Sequence, residues 1–280
     1  MTRLTTGDIQ GLTEDMPGYD ASLMKKTGCS LRQLACRAAG ISEKDVRASM
    51  ERALIGLIPM TWGDGLLEGF CETLAGIAGH IGCNAFVTRS RDAAGIAEAV
   101  EKNAHILMFA DEERFIALDM QRRKLADNAD ATARGFVAGL HLMAGNLKDR
   151  KVLVLGCGPV GRAAVKALVK IGGRVSVYDP EPAAYARLSS ELAHTPGVGV
   201  HFLNNLAPAL DRHKLIVDAS PAANVIPARY IKPHSIVSAP GMPIGLDNSA
   251  LAAIGDRLLH DPLQIGVATM LVDVLSGFRG

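Results

Sequence analysis

Residues 151 to 168, KVLVLGCGPVGRAAVKAL, place glycines at 156, 158 and 161 behind an all-apolar run, and an aspartate follows at 179. Each glycine has a task that a larger residue cannot perform. Gly156 permits a tight turn, Gly158 lets backbone approach a pyrophosphate, and Gly161 lets a helix sit close to the strand before it. The helix opening at Pro159, Val160 and Gly161 offers unpaired N–H groups and a partial positive charge to phosphates. For Cys157, inside the motif, small size is a sufficient explanation. Asp179, after Tyr178 at the end of RVSVYD, stands where an acid can accept both ribose hydroxyls and would repel a 2′-phosphate. The pattern predicts NAD rather than NADP. Ala219, Ser220 and Pro221 after KLIVD, and Pro240 after HSIVSA, are expected to run past the nicotinamide side, although loop closure explains their prolines equally well.

A second set of candidates lies at the ends of other apolar runs, where ligands collect in open parallel sheets. Thr61, Trp62, Gly63 and Asp64 follow IGLIPM, Asp111 follows HILMFA, and Asp261 follows DRLLH. If the two halves face each other across the cofactor, several carboxylates converge on the nicotinamide. A hydroxy-acid dehydrogenase would need arginine there to hold its substrate carboxylate. Carboxylates suit a substrate bearing amines, because hydride loss from a carbon attached to nitrogen leaves positive charge that an acid stabilises. Taken singly, Asp111 and Asp261 are also explained as caps of helices that follow them. Trp62 is either a substrate-facing lid or a packing residue. No two histidines have metal-ligand spacing, and no metal is expected.

The elements that must position these residues are legible in outline. Residues 1 to 56 predict helices, with Thr5 and Ser42 as N-caps answered by an acid three residues on. Between 55 and 111 short apolar runs alternate with helical stretches, the pattern of a small parallel sheet. A helix over about 129–147 leads to six further apolar runs, each followed by a loop or helix. The fold is therefore expected to be α/β: an N-terminal domain over 1–147, of helices and a small parallel sheet that receives substrate, and a C-terminal Rossmann domain over 148–280, a doubly wound parallel sheet that binds NAD. A last helix, about 263–278, is expected to pack back on the N-terminal domain.

Composition sets the outer limits. The 280 residues are long enough for two domains with real cores, and 30 Lys and Arg nearly cancel 29 Asp and Glu. A near-neutral chain with one Trp and four Tyr carries no electrostatic footprint for nucleic acid. The five cysteines form no CxxC pair, and no apolar run is long enough to span a bilayer, so a cytoplasmic protein with no membrane partner is expected.

Beyond the generic glycine motif, the blocks IPMTWGDGLLEGFCETLAGIAGHIG, FADEERFIALD, LVLGCGPVGRAA, VDASPAANVIP and HDPLQIGVATML resemble the pyrrolysine synthases, in order and along nearly the whole chain. The resemblance implies NAD-dependent oxidation of the terminal amine carbon of 3-methylornithyl-N6-lysine. Attack of the α-amine on the resulting imine and loss of ammonia would then give pyrrolysine. It also implies that Asp111 orients and polarises the reacting amine and that Asp261 shares that task. Thr61, Trp62, Gly63, Asp64 and Phe70 would line the substrate, with Leu4 on a first helix that orders on binding, in a homodimer. The chain departs from the family pattern at Trp62, a position more often small, at Asp64, more often an amide, and at Asp261, more often a glutamate. Those departures bear on substrate shape, not on reaction class.

Two rival classes are weighed against this expectation. Another NAD-dependent amino-acid dehydrogenase shares its logic, whereas a shikimate-type reductase needs a Lys–Asp pair that these strand-end loops lack. An NAD-responsive regulator would need a basic DNA-reading helix, and the first fifty residues offer only Lys25, Lys26 and Arg47.

Overall fold

The computed structural model describes residues 4–62, 67–193 and 199–278. The chain divides into two compact units: Phe136–Asp261, and the residues through Gly135 joined by those from Pro262 onward. The first unit opens with helices α1 (Thr6–Ile9), α2 (Met16–Thr27), α3 (Leu31–Ala39) and α4 (Glu43–Arg52). Their starts follow from sequence. Asp8 accepts from both the Thr5 N–H and its hydroxyl at 2.7 Å, and the Asp45 N–H donates to the Ser42 hydroxyl oxygen at 3.2 Å.

Strands and helices then alternate: β1 (Leu54–Leu57), α5 (Phe70–His80), β2 (Asn84–Val87), α6 (Asp92–Glu101) and β3 (Ile106–Ala110). β1 pairs in parallel with both β2 and β3, as the apolar runs predict. The sheet does not stop there. β4 (Phe115–Asp119) and β5 (Lys124–Asp127) add antiparallel to β3, giving the order β2-β1-β3-β4-β5. β4 buries alternate residues, Phe115, Ala117 and Asp119, so its period of two follows from one covered face.

α7 (Asn128–Ala144) carries the chain into the second unit. There follow β6 (Lys151–Leu155), α8 (Pro159–Lys170), β7 (Arg174–Tyr178), α9 (Pro182–Leu192), β8 (Val200–Leu203), α10 (Leu206–Arg212), β9 (Leu215–Asp218), β10 (Ile236–Ala239), α11 (Asn248–Ile254) and β11 (Leu258–His260). The six strands are all parallel in the order β11-β10-β9-β6-β7-β8, a doubly wound Rossmann sheet whose order reverses beside β6. β6 and β9, at the centre, are buried on both faces, which explains their unbroken apolar runs.

The last helix, α12 (Gln264–Leu275), returns to the first unit and packs on α3, α4, α5, β4 and β5. It is buried on nearly every side, as its apolar sequence requires. Glycine makes one approach very close: a Cβ on Gly135 of α7 would lie 2.3 Å from the Ile265 side chain. The C-terminus of α12 is held by cations, with Arg122 donating to the Ser276 carbonyl at 2.5 Å and Lys124 pairing with Asp273 at 3.2 Å. Among the described residues no helix is long and apolar enough to cross a membrane.

Candidate active site

The glycine motif builds the turn between β6 and α8. Gly156 has φ +88°, a left-handed conformation, and a Cβ there would lie 2.8 Å from the Ala219 carbonyl oxygen. A Cβ on Gly161 would lie 1.9 Å from the Gly156 carbonyl oxygen, so α8 can sit on the turn only because residue 161 has no side chain. Gly158 differs from both, since a Cβ on it would meet nothing within 4 Å. Two glycines are therefore demanded by internal packing, and the third borders open space at the N-terminus of α8, with Pro159 in the first turn. That cradle fits a pyrophosphate.

Asp179 ends beside this turn. Its Oδ2 accepts from the Cys157 N–H at 2.6 Å and its Oδ1 from the Glu181 N–H at 2.8 Å. Its backbone is pinned by Tyr185, whose hydroxyl accepts from the Asp179 N–H at 2.9 Å. Burial pushes the Cys157 thiol up to about 12, with Asp179 adding to the rise and Arg162 opposing it, so the sulfur stays protonated. Arg162 donates to the Cys157 carbonyl at 2.9 Å and pairs with Glu191 at 2.8 Å, bracing the turn from the helix side. Beyond the ends of β7 and β8, Tyr178, Leu206, Val225 and Tyr230, with the polar Asn205 and Arg229, border a cavity of about 330 Å³.

The loops after β9 and β10 are welded by one buried acid, Asp218. Its carboxylate accepts from the Ser220 hydroxyl at 2.7 Å and the Gly245 N–H at 3.0 Å, and its carbonyl from the Gly241 N–H at 2.9 Å. Burial raises its pKa, and these hydrogen bonds, with the nearby His260, oppose the rise. Ala219, Ser220, Pro221 and Pro240 thus stand at the carboxyl edge of the sheet with the glycine turn and Asp179. Sequence groups Asp218 with Ala219, Ser220 and Pro221 after the fourth apolar run of this half, on the nucleotide side, but its role in joining two loops follows only from the structure. His260 points its Nδ1 at the Ala239 carbonyl, 2.7 Å away, which fixes that nitrogen as the protonated one. Asp261 follows it and is buried.

In the first unit the candidates also gather at the carboxyl ends of the parallel strands. Thr61 follows β1, and both its N–H and its hydroxyl donate to Asp92, at 2.9 and 2.8 Å. Asp92 was not anticipated, because nothing local marks an acid that serves a loop 31 residues away. Asp111 follows β3, and its Oδ1 accepts from the N–H groups of Glu113 and Arg114, at 2.8 and 2.7 Å. It therefore shapes the β3–β4 hairpin. The rival expectation that Asp111 and Asp261 cap helices fails for both: a strand follows Asp111, and the N-cap of α12 is Leu263. Trp62 is 68% exposed, so packing does not account for it. Phe70 is buried, edge-on to Phe115 with ring centroids 5.5 Å apart. Leu4 is half-buried and lies just before α1 rather than on it. Gly63 and Asp64 lie outside the described residues. Asn128, at the start of α7, has a buried Oδ1 with no partner among the described residues, an oddity that sequence gave no reason to expect.

Residues 8–126 match the family described as pyrrolysine biosynthesis protein PylD, N-terminal domain, and residues 127–225 match alanine dehydrogenase/PNT, C-terminal domain. The pyrrolysine synthase of Methanosarcina acetivorans is 28% identical over 278 residues, which cover 98% of this chain and all of that one. That of Methanosarcina barkeri is 29% identical, covering 98% of each chain. Among solved structures, quinate dehydrogenase from Corynebacterium glutamicum in complex with NAD superposes with a TM-score of 0.57 at 16% identity, covering 81% of this chain and 94% of that one. That last likeness is one of fold. With a match to a PylD-type domain first, a match to a dehydrogenase-type nucleotide domain after it and relatives that align end to end, the chain is similar to the pyrrolysine synthases along its whole length.

Proposed function

We propose that this protein is an NAD-dependent dehydrogenase that oxidises the terminal amine carbon of 3-methylornithyl-N6-lysine and lets the product cyclise, with loss of ammonia, to pyrrolysine. The observation that carries the proposal is the end-to-end similarity to pyrrolysine synthases, which spans the nucleotide cradle and the acid-bearing strand ends alike. Gly156, Cys157, Gly158, Pro159, Val160 and Gly161 would hold the pyrophosphate, with Tyr178 and Asp179 at the adenosine ribose. Ala219, Ser220, Pro221 and Pro240 would border the nicotinamide. The carboxylate of Asp179 favours free ribose hydroxyls, hence NAD over NADP. When bound, NAD supplies a hydride acceptor.

The protein's own contribution is electrostatic. Oxidation at a carbon bearing nitrogen develops positive charge, and a carboxylate beside it lowers the barrier. Asp111 is suited to that role because its hairpin hydrogen bonds fall on Oδ1, leaving Oδ2 without a partner among the described residues. Asp261 would share the task, and its burial strengthens any charge interaction it makes. Thr61, Trp62, Gly63, Asp64 and Leu4 would border the substrate. The buried Asn128 Oδ1 would accept from one of its N–H groups. The working assembly on this reading is a homodimer, in the cytoplasm.

The test is to incubate the protein with the synthetic dipeptide-like substrate and NAD, following NADH absorbance and the mass of the product. Asp111→Ala should abolish turnover and leave NAD affinity within about twofold. Asp179→Ala should weaken NAD first, by on the order of tenfold for a lost charge-assisted pair of hydrogen bonds. No NADH formation, or loss of both properties in Asp111→Ala, would overturn the assignment.

A further inference from the structure

The second unit carries a cavity of about 490 Å³ that the cofactor reading leaves unused. It lies on one face of the Rossmann sheet, and its lining includes Lys151, Arg174, His201, Arg212 and His213, with no acidic side chain. The sheet register explains how the cations meet. Lys151 of β6 and Arg174 of β7 are direct partners, as are Ser176 of β7 and His201 of β8. Arg174 and Ser176 are two residues apart and so share a face. Such a face is normally covered by an apolar crossover helix. Here the crossover α10 is only seven residues long, and Arg212 at its end and the buried His213 after it line the cavity.

Like charges directly opposite on neighbouring strands are destabilising, and little on the protein offsets them. Arg174 has one acid near it, Asp149, at 4.0 Å with both side chains mostly exposed. Neither Lys151 nor Arg212 has an acidic partner among the described residues, and the adjacent Asp211 is engaged by Lys232 at 3.0 Å. His213 records the same field. It is buried, its Nδ1 faces the Ala209 carbonyl at 2.7 Å, and its Nε2 accepts from the Ser176 hydroxyl at 3.0 Å. Burial chiefly lowers its pKa, and Lys151 and Arg212 lower it further. Leu203 and Pro208 supply apolar wall, and Asn204 an exposed amide.

We propose that this cavity is a second ligand site, which takes a small phosphate-bearing molecule through Lys151, Arg174 and Arg212. A volume of about 490 Å³ falls within the range of small-molecule pockets. The phosphate would supply the counter-charge that the register withholds, and the apolar wall would accept a flat organic group attached to it.

The experiment is calorimetric titration of the full chain with inorganic pyrophosphate and, separately, with ADP, at low ionic strength, with and without saturating NADH. Binding should persist with NADH present and weaken as salt rises. Lys151→Gln and Arg212→Gln should each reduce affinity by about tenfold, the effect of removing one charge-assisted contact, while Arg212→Lys stays within a few-fold. NADH binding retained in each variant shows that the domain is folded. Tighter binding of ADP than of pyrophosphate identifies a nucleotide-type ligand, and equal binding identifies the phosphate group alone. Absence of binding by the wild type at millimolar ligand overturns the proposal. So does binding that NADH abolishes and the substitutions leave unchanged, because the anion would then occupy the glycine cradle.

Discussion

Asp92 sits at φ +51°, a conformation in which any side chain is strained, and three hydrogen bonds to the chain after β1 hold it there. Its carboxylate takes both donors of Thr61, and its N–H donates to the Pro59 carbonyl at 3.1 Å. The cost of the backbone is therefore tied to the placement of the segment that carries Thr61 and Trp62. Two substitutions separate the parts. Asp92→Ala keeps the strain and removes the tether, so stability should fall by roughly 2 kcal/mol in a denaturant titration. Asp92→Gly removes both and should recover part of that loss. If the tether positions the substrate, both variants should raise KM for the amine substrate several-fold with NAD affinity unchanged. A rise confined to Asp92→Ala would assign the residue to stability alone. Little of this was legible in the sequence, because Asp92 acts across space and its neighbours give no sign of it. Asp179 was legible, because strand end, glycine motif and acid lie within one βαβ span.

At the scale of elements, the same contrast separates what sequence reveals. The central strands β6 and β9 of the Rossmann sheet are legible because burial on both faces writes each as a continuous apolar run. The β4–β5 hairpin was not, since β4 buries only every second residue and β5 is four residues long. The turn before it, ADEERF, looks like an acidic loop until the Oδ1 bonds of Asp111 show it to be a folded corner. That the short α10 leaves charged sheet uncovered follows only from register. The contact between α8 and the glycine turn gives the sharpest test at this scale. Gly161→Ala would drive a methyl into the Gly156 carbonyl oxygen, 1.9 Å from its ideal position. The helix must then move, at a cost of roughly 1–3 kcal/mol, which should appear as a Tm lowered by several degrees. NAD affinity should fall with it, because the displaced residues are those of the cradle. An unchanged Tm with full NAD affinity would show that α8 yields without consequence.

For the whole molecule, stability should carry the signature of a histidine buried neutral. The folded pKa of His213 lies below its ordinary value of about 6.5, so below that pH the unfolded chain binds the extra proton first. Its contribution is present above about pH 6.5 and is lost as pH falls toward the lower, folded value. Asp218 has the opposite sign: its raised folded pKa favours the folded state on the acid side and is felt as a loss when pH rises through the carboxylate range. The difference between wild type and His213→Gln, followed by urea midpoint from pH 7 to pH 5, isolates the histidine. The wild type should lose stability faster than the variant over that interval, and parallel curves would exclude the effect. The division of the chain has a further consequence. The second unit is a single stretch, Phe136–Asp261, whereas the first needs α12, whose sequence begins only at Gln264. During synthesis the ribosome therefore delivers everything the nucleotide domain requires before it delivers the helix that fills the core of its neighbour. Until then α3, α5 and the β4–β5 hairpin present uncovered apolar surface, and the newborn chain spends that interval as a finished domain attached to an unfinished one.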